Sequence, residues 1–172
     1  MKDIDLQIQQ CLSLLPQEHL HRSLERPNLN EGPYEHPAAW QCIYRNLATL
    51  LCSPGIAWIF GPTGTGKTQL AVEWARLFLS ADARFEYYTH DQVQKAFEGN
   101  AGIDFFLRPK LLCIDNINFV CKRSWHYIQR IMHARLVLKL PTIIISNVAF
   151  AQPFAKNLAG INAVHLSCDN YA

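Results

Sequence analysis

Apolar positions recur along the chain in two periods, and the order in which they alternate predicts the architecture. Residues 3–15 place Ile4, Ile8, Cys11, Leu12 and Leu15 at helical spacing, so one face of a helix is apolar. That face either packs on its own domain or docks on a partner protein. Residues 16–37 carry Pro16, Pro27, Pro33 and Pro37 and read as an irregular connector. Residues 38–52 are helical again, with Trp40, Ile43, Tyr44, Leu47 and Leu51 on one side, and Ser53, Pro54 and Gly55 break the run. A more regular stretch follows. Short apolar runs predict strands at Ile56–Phe60, Phe85–Thr89, Leu111–Asp115, Thr142–Ser146 and Ala163–Leu166. Helical patterns separate them at Thr68–Leu79, Asp91–Phe97, Ser124–Lys139 and, for a single turn, Ala155–Leu158. Asp91 is placed to cap the second of these helices. Alternation of this kind predicts an α/β fold: a mostly parallel five-stranded sheet covered by helices on both faces. The pattern ends at the last strand, so the expected layout is a segment at 1–37 and one domain at 38–172, without a C-terminal lid domain.

Composition narrows the class without changing this picture. At 172 residues the chain is long enough for one buried core. With 49% hydrophobic and 17% charged residues it is globular, not disordered. A net charge of +2 permits nucleic-acid contact without arguing for it. Met1 and Lys2 are followed by Asp3 and Asp5, unlike a secretion signal, and no apolar run approaches the ~18 residues that cross a bilayer. The six cysteines form no C-x-x-C pair, which favours reduced thiols over zinc ligands. A cytoplasmic protein with no membrane partner is expected.

Chemistry concentrates at the ends of three strands. GPTGTGKT, residues 61–68, joins the first strand to its helix and fits the phosphate-cradling pattern G-x-x-x-x-G-K-[ST]. Gly61, Gly64 and Gly66 free the backbone so that successive amides, together with those of Pro62, Thr63 and Thr65 where an N–H exists, ring a phosphate. The helix that starts there turns its positive end to the same anion. Lys67 would reach the β- and γ-phosphates and the Thr68 hydroxyl would ligate Mg²⁺, so ATP and Mg²⁺ are the expected cofactors. Asp115 ends a later strand, where it would hold the metal shell through water. Asn147 follows the strand in PTIIISN, and its amide could hydrogen-bond the γ-phosphate and an attacking water. Along Ser124–Lys139, Trp125, Ile128, Met132 and Leu136 share one face, while His126, Arg130 and His133 line another. Such a basic stripe either tracks a phosphate backbone or is a solvated surface.

Taken in order, GPTGTGKT, LLCIDN and LPTIIISN resemble the motifs of AAA+ P-loop ATPases, and within them the DnaC/DnaI helicase loaders and the IstB-type transposition ATPases. The resemblance runs from about Leu15 to the end of the chain. It implies a three-layer P-loop fold in which residues 61–68 match Walker A, Leu111–Asp115 match Walker B and Asn147 matches sensor 1. It implies ATP and Mg²⁺ binding, side-by-side self-association, and delivery of a ring-shaped DnaB-type replicative helicase to single-stranded DNA; the IstB-type relatives serve a transposase. A small loader of this kind would suit a phage or mobile element.

Two departures weaken hydrolysis. Asn116 stands where the family usually has a second carboxylate, and an amide cannot accept a proton from water. No arginine follows Arg135, leaving Lys156 without the forked geometry of an arginine finger. A third departure is expected in front, where some loaders carry a helicase-binding domain and the pattern here predicts only the helix at 3–15 and its connector. The expectation is an ATP-binding switch that turns over slowly, with Lys67, Asp115, Asn116 and Asn147 as the catalytic set. A superfamily 3-type viral helicase shares the cradle but would keep paired acids at the second motif. A small kinase would need an arginine-bearing lid, and a pure adaptor would use nucleotide only for shape.

Overall fold

The computed structural model describes residues 55–68, 70–72, 84–117, 122–147 and 161–165, with the backbone alone at 122–124 and 161–165. The helices expected at 3–15 and 38–52, the connector between them, the turn at 155–158 and the boundary at residue 37 lie outside the described residues. Five strands build one sheet: β1 (Ile56–Phe60), β2 (Phe85–Thr89), β3 (Leu111–Ile117), β4 (Thr142–Ser146) and β5 (Ile161–His165). Their order across the sheet is β2-β3-β4-β1-β5, and every pairing is parallel. Parallel neighbours need crossovers, and among the described residues helices lie between β1 and β2, β2 and β3, and β3 and β4. Helix α1 is helical at residues 67–68 and 70–72, α2 spans His90–Glu98 and α3 spans Lys122–Val137. A 3₁₀ turn at Ile103–Leu107 follows α2.

Both sheet faces are covered, as continuous apolar strands require. On one face Trp58, Leu112, Ile114 and Ile144 pack with Val93 of α2, Phe106 of the 3₁₀ turn, and Trp125, Ile128, Ile131 and Met132 of α3. The opposite parity, Ala57, Ile59, Cys113, Ile143 and Ile145, is equally buried, as are Leu70, Ala71 and Val72 of α1. Arg135 is also fully buried. Its guanidinium donates to the Thr142 hydroxyl (2.7 Å) and to the carbonyls of Phe106 (2.9 Å), Pro109 (3.0 Å), Lys110 (3.3 Å) and Pro141 (2.8 Å). One side chain thereby ties the loop before β3 to α3 and to the start of β4. Burial lowers its pKa to about 10, with Glu86 opposing the shift, so it stays charged at neutral pH.

Several element ends differ from the pattern. Thr89, not Asp91, caps α2: its hydroxyl accepts from Gln92 N (3.3 Å) while the Gln92 side chain accepts from Thr89 N (2.7 Å). Asp91 instead sits in the first turn, where a carboxylate meets the positive helix end. Helix α3 begins at Lys122 and stops at Val137, two residues short of the apolar pattern. Lys139 takes a left-handed conformation (φ 55°), and Leu140 N returns to the Arg135 carbonyl (2.9 Å), which closes the helix. Strand β5 begins at Ile161, two residues earlier than expected. Strand β3 runs on to Ile117 because the register slips: Ile114 faces Ile144, yet Ile117 faces Ser146. One residue of β4 therefore opposes two of β3, a bulge at Asp115 and Asn116.

Candidate phosphate and metal site

The sheet edge where β1, β3 and β4 end carries the loop and its neighbours. Gly61 leaves β1 and donates its N–H to the Ser146 carbonyl at the end of β4 (3.3 Å), which pins the loop to the sheet. Gly64 and Gly66 have φ of 87° and 83°, a region L side chains rarely enter. A Cβ on Gly64 would meet nothing within 4 Å, so backbone conformation, not space, demands glycine there. Lys67 is buried, and its ammonium donates to the carbonyls of Gly61 (2.8 Å) and Pro62 (2.5 Å), with Thr65 Oγ1 at 3.5 Å. The cation is thus held across the loop by the loop itself. Pro62, Thr63 and Gly64 are exposed at the rim.

Asp115 lies 6% exposed beside the first turn of α1. Thr68 Oγ1 donates to its Oδ2 (2.8 Å), so the threonine that closes the glycine loop and the β3 carboxylate are in direct contact. Two further donors reach the same carboxylate: Tyr87 Oη to Oδ2 (2.6 Å) and Asn116 N to Oδ1 (2.5 Å). Thr68 and Asp115 offer a hydroxyl and a carboxylate, the hard oxygen donors Mg²⁺ prefers. Among the described residues no group of three or more His, Cys, Asp or Glu gathers to hold a metal. A donor pair of this kind suits Mg²⁺, which takes few protein ligands and fills its octahedron with phosphate oxygens and water.

The other expected site residues sit at the same edge. Asn147 follows Ser146 directly and is exposed. Asn116 is exposed too, and its backbone is left-handed (φ 57°) at the β3 bulge. Asparagine is among the few residue types that accept this conformation at little cost. A backbone demand therefore stands beside the missing carboxylate as a reason for an amide at this position. Arg135, the last arginine of the chain, is committed to the interior.

No family model and no curated protein sequence matches the chain. Solved structures do. A candidate primosome component from Streptococcus pyogenes serotype M3 superposes with a TM-score of 0.63 at 20% identity, covering 88% of this chain and 89% of that one. DnaI gives 0.61 at 14% identity, covering 92% and 94%. AMPPCP-bound DnaA from Aquifex aeolicus gives 0.64 at 19% identity, covering 82% of this chain. The chain has the AAA+ P-loop fold. It spans about half the length of the DnaA chains it matches, but nearly the full length of the DnaI chain.

In this AAA+ frame the residues expected at the phosphate edge, 61–68, 115–116 and 147, converge at one end of the sheet. Tyr87 was not among them. It lies on β2 opposite Cys113, on the same sheet face as Asp115, and its phenol reaches one pleat repeat toward the strand end. Trp58 makes the matching reach on β1, donating Nε1 to Ser146 Oγ (2.8 Å). A tyrosine in a buried strand reads as core, and only the register between strands reveals its polar tip. Cys113, between Tyr87 and Asp115, is fully buried. Burial raises its pKa well above the usual value, and the nearby Asp115 adds to this, so the thiol stays protonated.

Proposed function

We propose that the chain binds Mg-ATP and uses it as a slowly hydrolysed switch in DNA replication, loading or recruiting a ring-shaped replicative helicase onto DNA. The observation that carries this reading is the contact of Thr68 with Asp115 beside a glycine loop whose lysine already lies across it. Amide donors, one ammonium and a hydroxyl–carboxylate pair are what a magnesium-bound triphosphate requires. Binding of AMPPCP by DnaA, on a shared fold, supports nucleotide as the ligand. The loader assignment draws on the DnaI and primosome-component structures, which match this chain over most of both lengths, and on the resemblance of RLVLKLPTIIISN to the loader branch. Slow hydrolysis follows from the amide at Asn116 and from the burial of Arg135.

Single-stranded DNA is the second partner in this reading. His126, Arg130 and His133 are exposed along α3 and, with Ile103, Gln129 and Ala134, line an open groove of about 350 Å³. One arginine flanked at one-turn spacing by hydrogen-bonding imidazoles, beside a groove, can follow a phosphate backbone. A DnaA structure bound to single-stranded DNA shares the fold.

The test is capture of a purified DnaB-type helicase with and without Mg-ATP. Capture should require nucleotide and should vanish in Lys67→Ala, whose nucleotide affinity should fall at least ~100-fold for loss of a charge-assisted contact to phosphate. Unchanged nucleotide affinity in that variant would refute the cradle. Selective capture of a transposase would replace the loader with the IstB-type role.

A further inference from the structure

Asp115 has two oxygens and about four directions in which to accept hydrogen bonds. Three are taken. Oδ2 receives both the Thr68 hydroxyl (2.8 Å) and the Tyr87 hydroxyl (2.6 Å), and Oδ1 receives Asn116 N. Thr68 can bind a cation through its oxygen while still donating to Asp115, so that contact survives metal binding. The Asn116 contact is backbone and local. The phenol of Tyr87 is different. It occupies the remaining acceptor direction of Oδ2, next to Thr68, where a metal-bound water would otherwise donate.

We propose that Tyr87 is a positioning residue that competes with the Mg²⁺ hydration shell for Oδ2 of Asp115, and so sets how much magnesium the site needs before nucleotide is held tightly. The inference rests on the Mg-ATP reading of the site. Both partners are buried, Tyr87 at 8% and Asp115 at 6% exposed, so water does not substitute readily for the phenol. The arrangement is built into the sheet: β2 and β3 pair in register from Phe85 with Leu111 to Thr89 with Asp115. With Tyr87 in place, one direction on Oδ1 remains for the metal shell, and further engagement requires the phenol to let go. Tyr87 thereby makes the switch responsive to magnesium and couples strand β2 to the phosphate site.

The experiment uses the full chain and a fluorescent ATP analogue. Nucleotide affinity is measured in EDTA and across a Mg²⁺ titration, for the natural protein, Tyr87→Phe and Tyr88→Phe. Tyr88 is a matched control: its hydroxyl donates to Glu86 (2.7 Å) on the other sheet face. Tyr87→Phe should lower the Mg²⁺ concentration for half-maximal tightening roughly three- to tenfold, the equivalent of one hydrogen bond. Its affinity in EDTA should stay unchanged, and Tyr88→Phe should behave as the natural protein. A magnesium requirement in Tyr87→Phe that is unchanged or higher overturns the proposal. A purely structural tyrosine would shift the melting temperature and leave the magnesium midpoint alone. If Tyr87→Phe melts well below the natural protein, Tyr87→Met, which keeps apolar bulk without a donor, takes its place. Failure of the natural protein to bind nucleotide at all would sink the Mg-ATP reading itself, a result distinct from an unmoved midpoint.

Discussion

Asn116 can be tested as a backbone residue and as a catalytic one in the same set of variants. Its φ of 57° lies in the left-handed region, which costs most L-residues about 1–2 kcal/mol and asparagine less. The side chain is exposed, so truncation loses little packing and the change in stability reports the backbone. Asn116→Ala should destabilise by about 1 kcal/mol, a drop of roughly 2–4 °C for a chain of 172 residues. Asn116→Gly removes the steric penalty but frees the unfolded chain by about 0.5–1 kcal/mol, so it should melt close to the natural protein. Asn116→Glu should melt like the alanine variant and hydrolyse ATP faster, since a carboxylate can accept a proton from the attacking water. The ceiling for a restored general base is about 10²–10⁴-fold. Thermal unfolding by circular dichroism and phosphate release at saturating Mg-ATP measure the two effects separately. An alanine variant as stable as the natural protein would refute the left-handed bulge. A folded glutamate variant with no gain in turnover would show that the missing carboxylate is not what limits the rate.

Two other outcomes follow from buried polar groups. Arg135→Met should destabilise the protein by about 3–5 kcal/mol, because it orphans the carbonyls of Phe106, Pro109 and Lys110 together and leaves Pro141 only the longer bond from Leu112 N (3.4 Å); denaturant unfolding measures this, and Arg135→Lys should recover only part of the loss, since an ammonium cannot copy the planar fork. His90 is buried and desolvation lowers its pKa below the ordinary 6.5, with Asp91 opposing, so the unfolded chain binds more protons once the pH drops below about 6.5. Its contribution is therefore present above that value and lost as the pH falls toward the folded-state pKa; the drop in melting temperature from pH 7.5 to 5.5 should be smaller in His90→Gln than in the natural protein.

The amino-acid order alone determined the repeating unit. Apolar runs bounded by glycine, proline and polar residues are a local property, so strands β1, β2 and β4 begin and end where the pattern places them. The glycine-rich loop at 61–68, proposed to cradle phosphate, was legible as a local pattern for the same reason. Its glycines, lysine and threonine act within eight consecutive residues, and the conformations of Gly64 and Gly66 agree with that reading. The exposed stripe of His126, Arg130 and His133 and the buried face of α3 also follow from one helical period.

Only the tertiary structure decided matters that depend on how strands register against one another. The slip between Ile114 and Ile117 extends β3 and turns Asn116 left-handed, so a residue read as a chemical substitution is also a steric one. The pairing of Thr89 with Asp115 lets Tyr87, 28 positions away in the chain, reach the carboxylate beside Thr68. Arg135 is the last arginine along the chain, and it closes five hydrogen bonds inside the core. For Tyr87, and for Arg135 with Phe106, Pro109 and Lys110, the partner is distant in sequence and the contact is polar. Periodicity reports which way a side chain faces, and only the assembled sheet reports what it finds there.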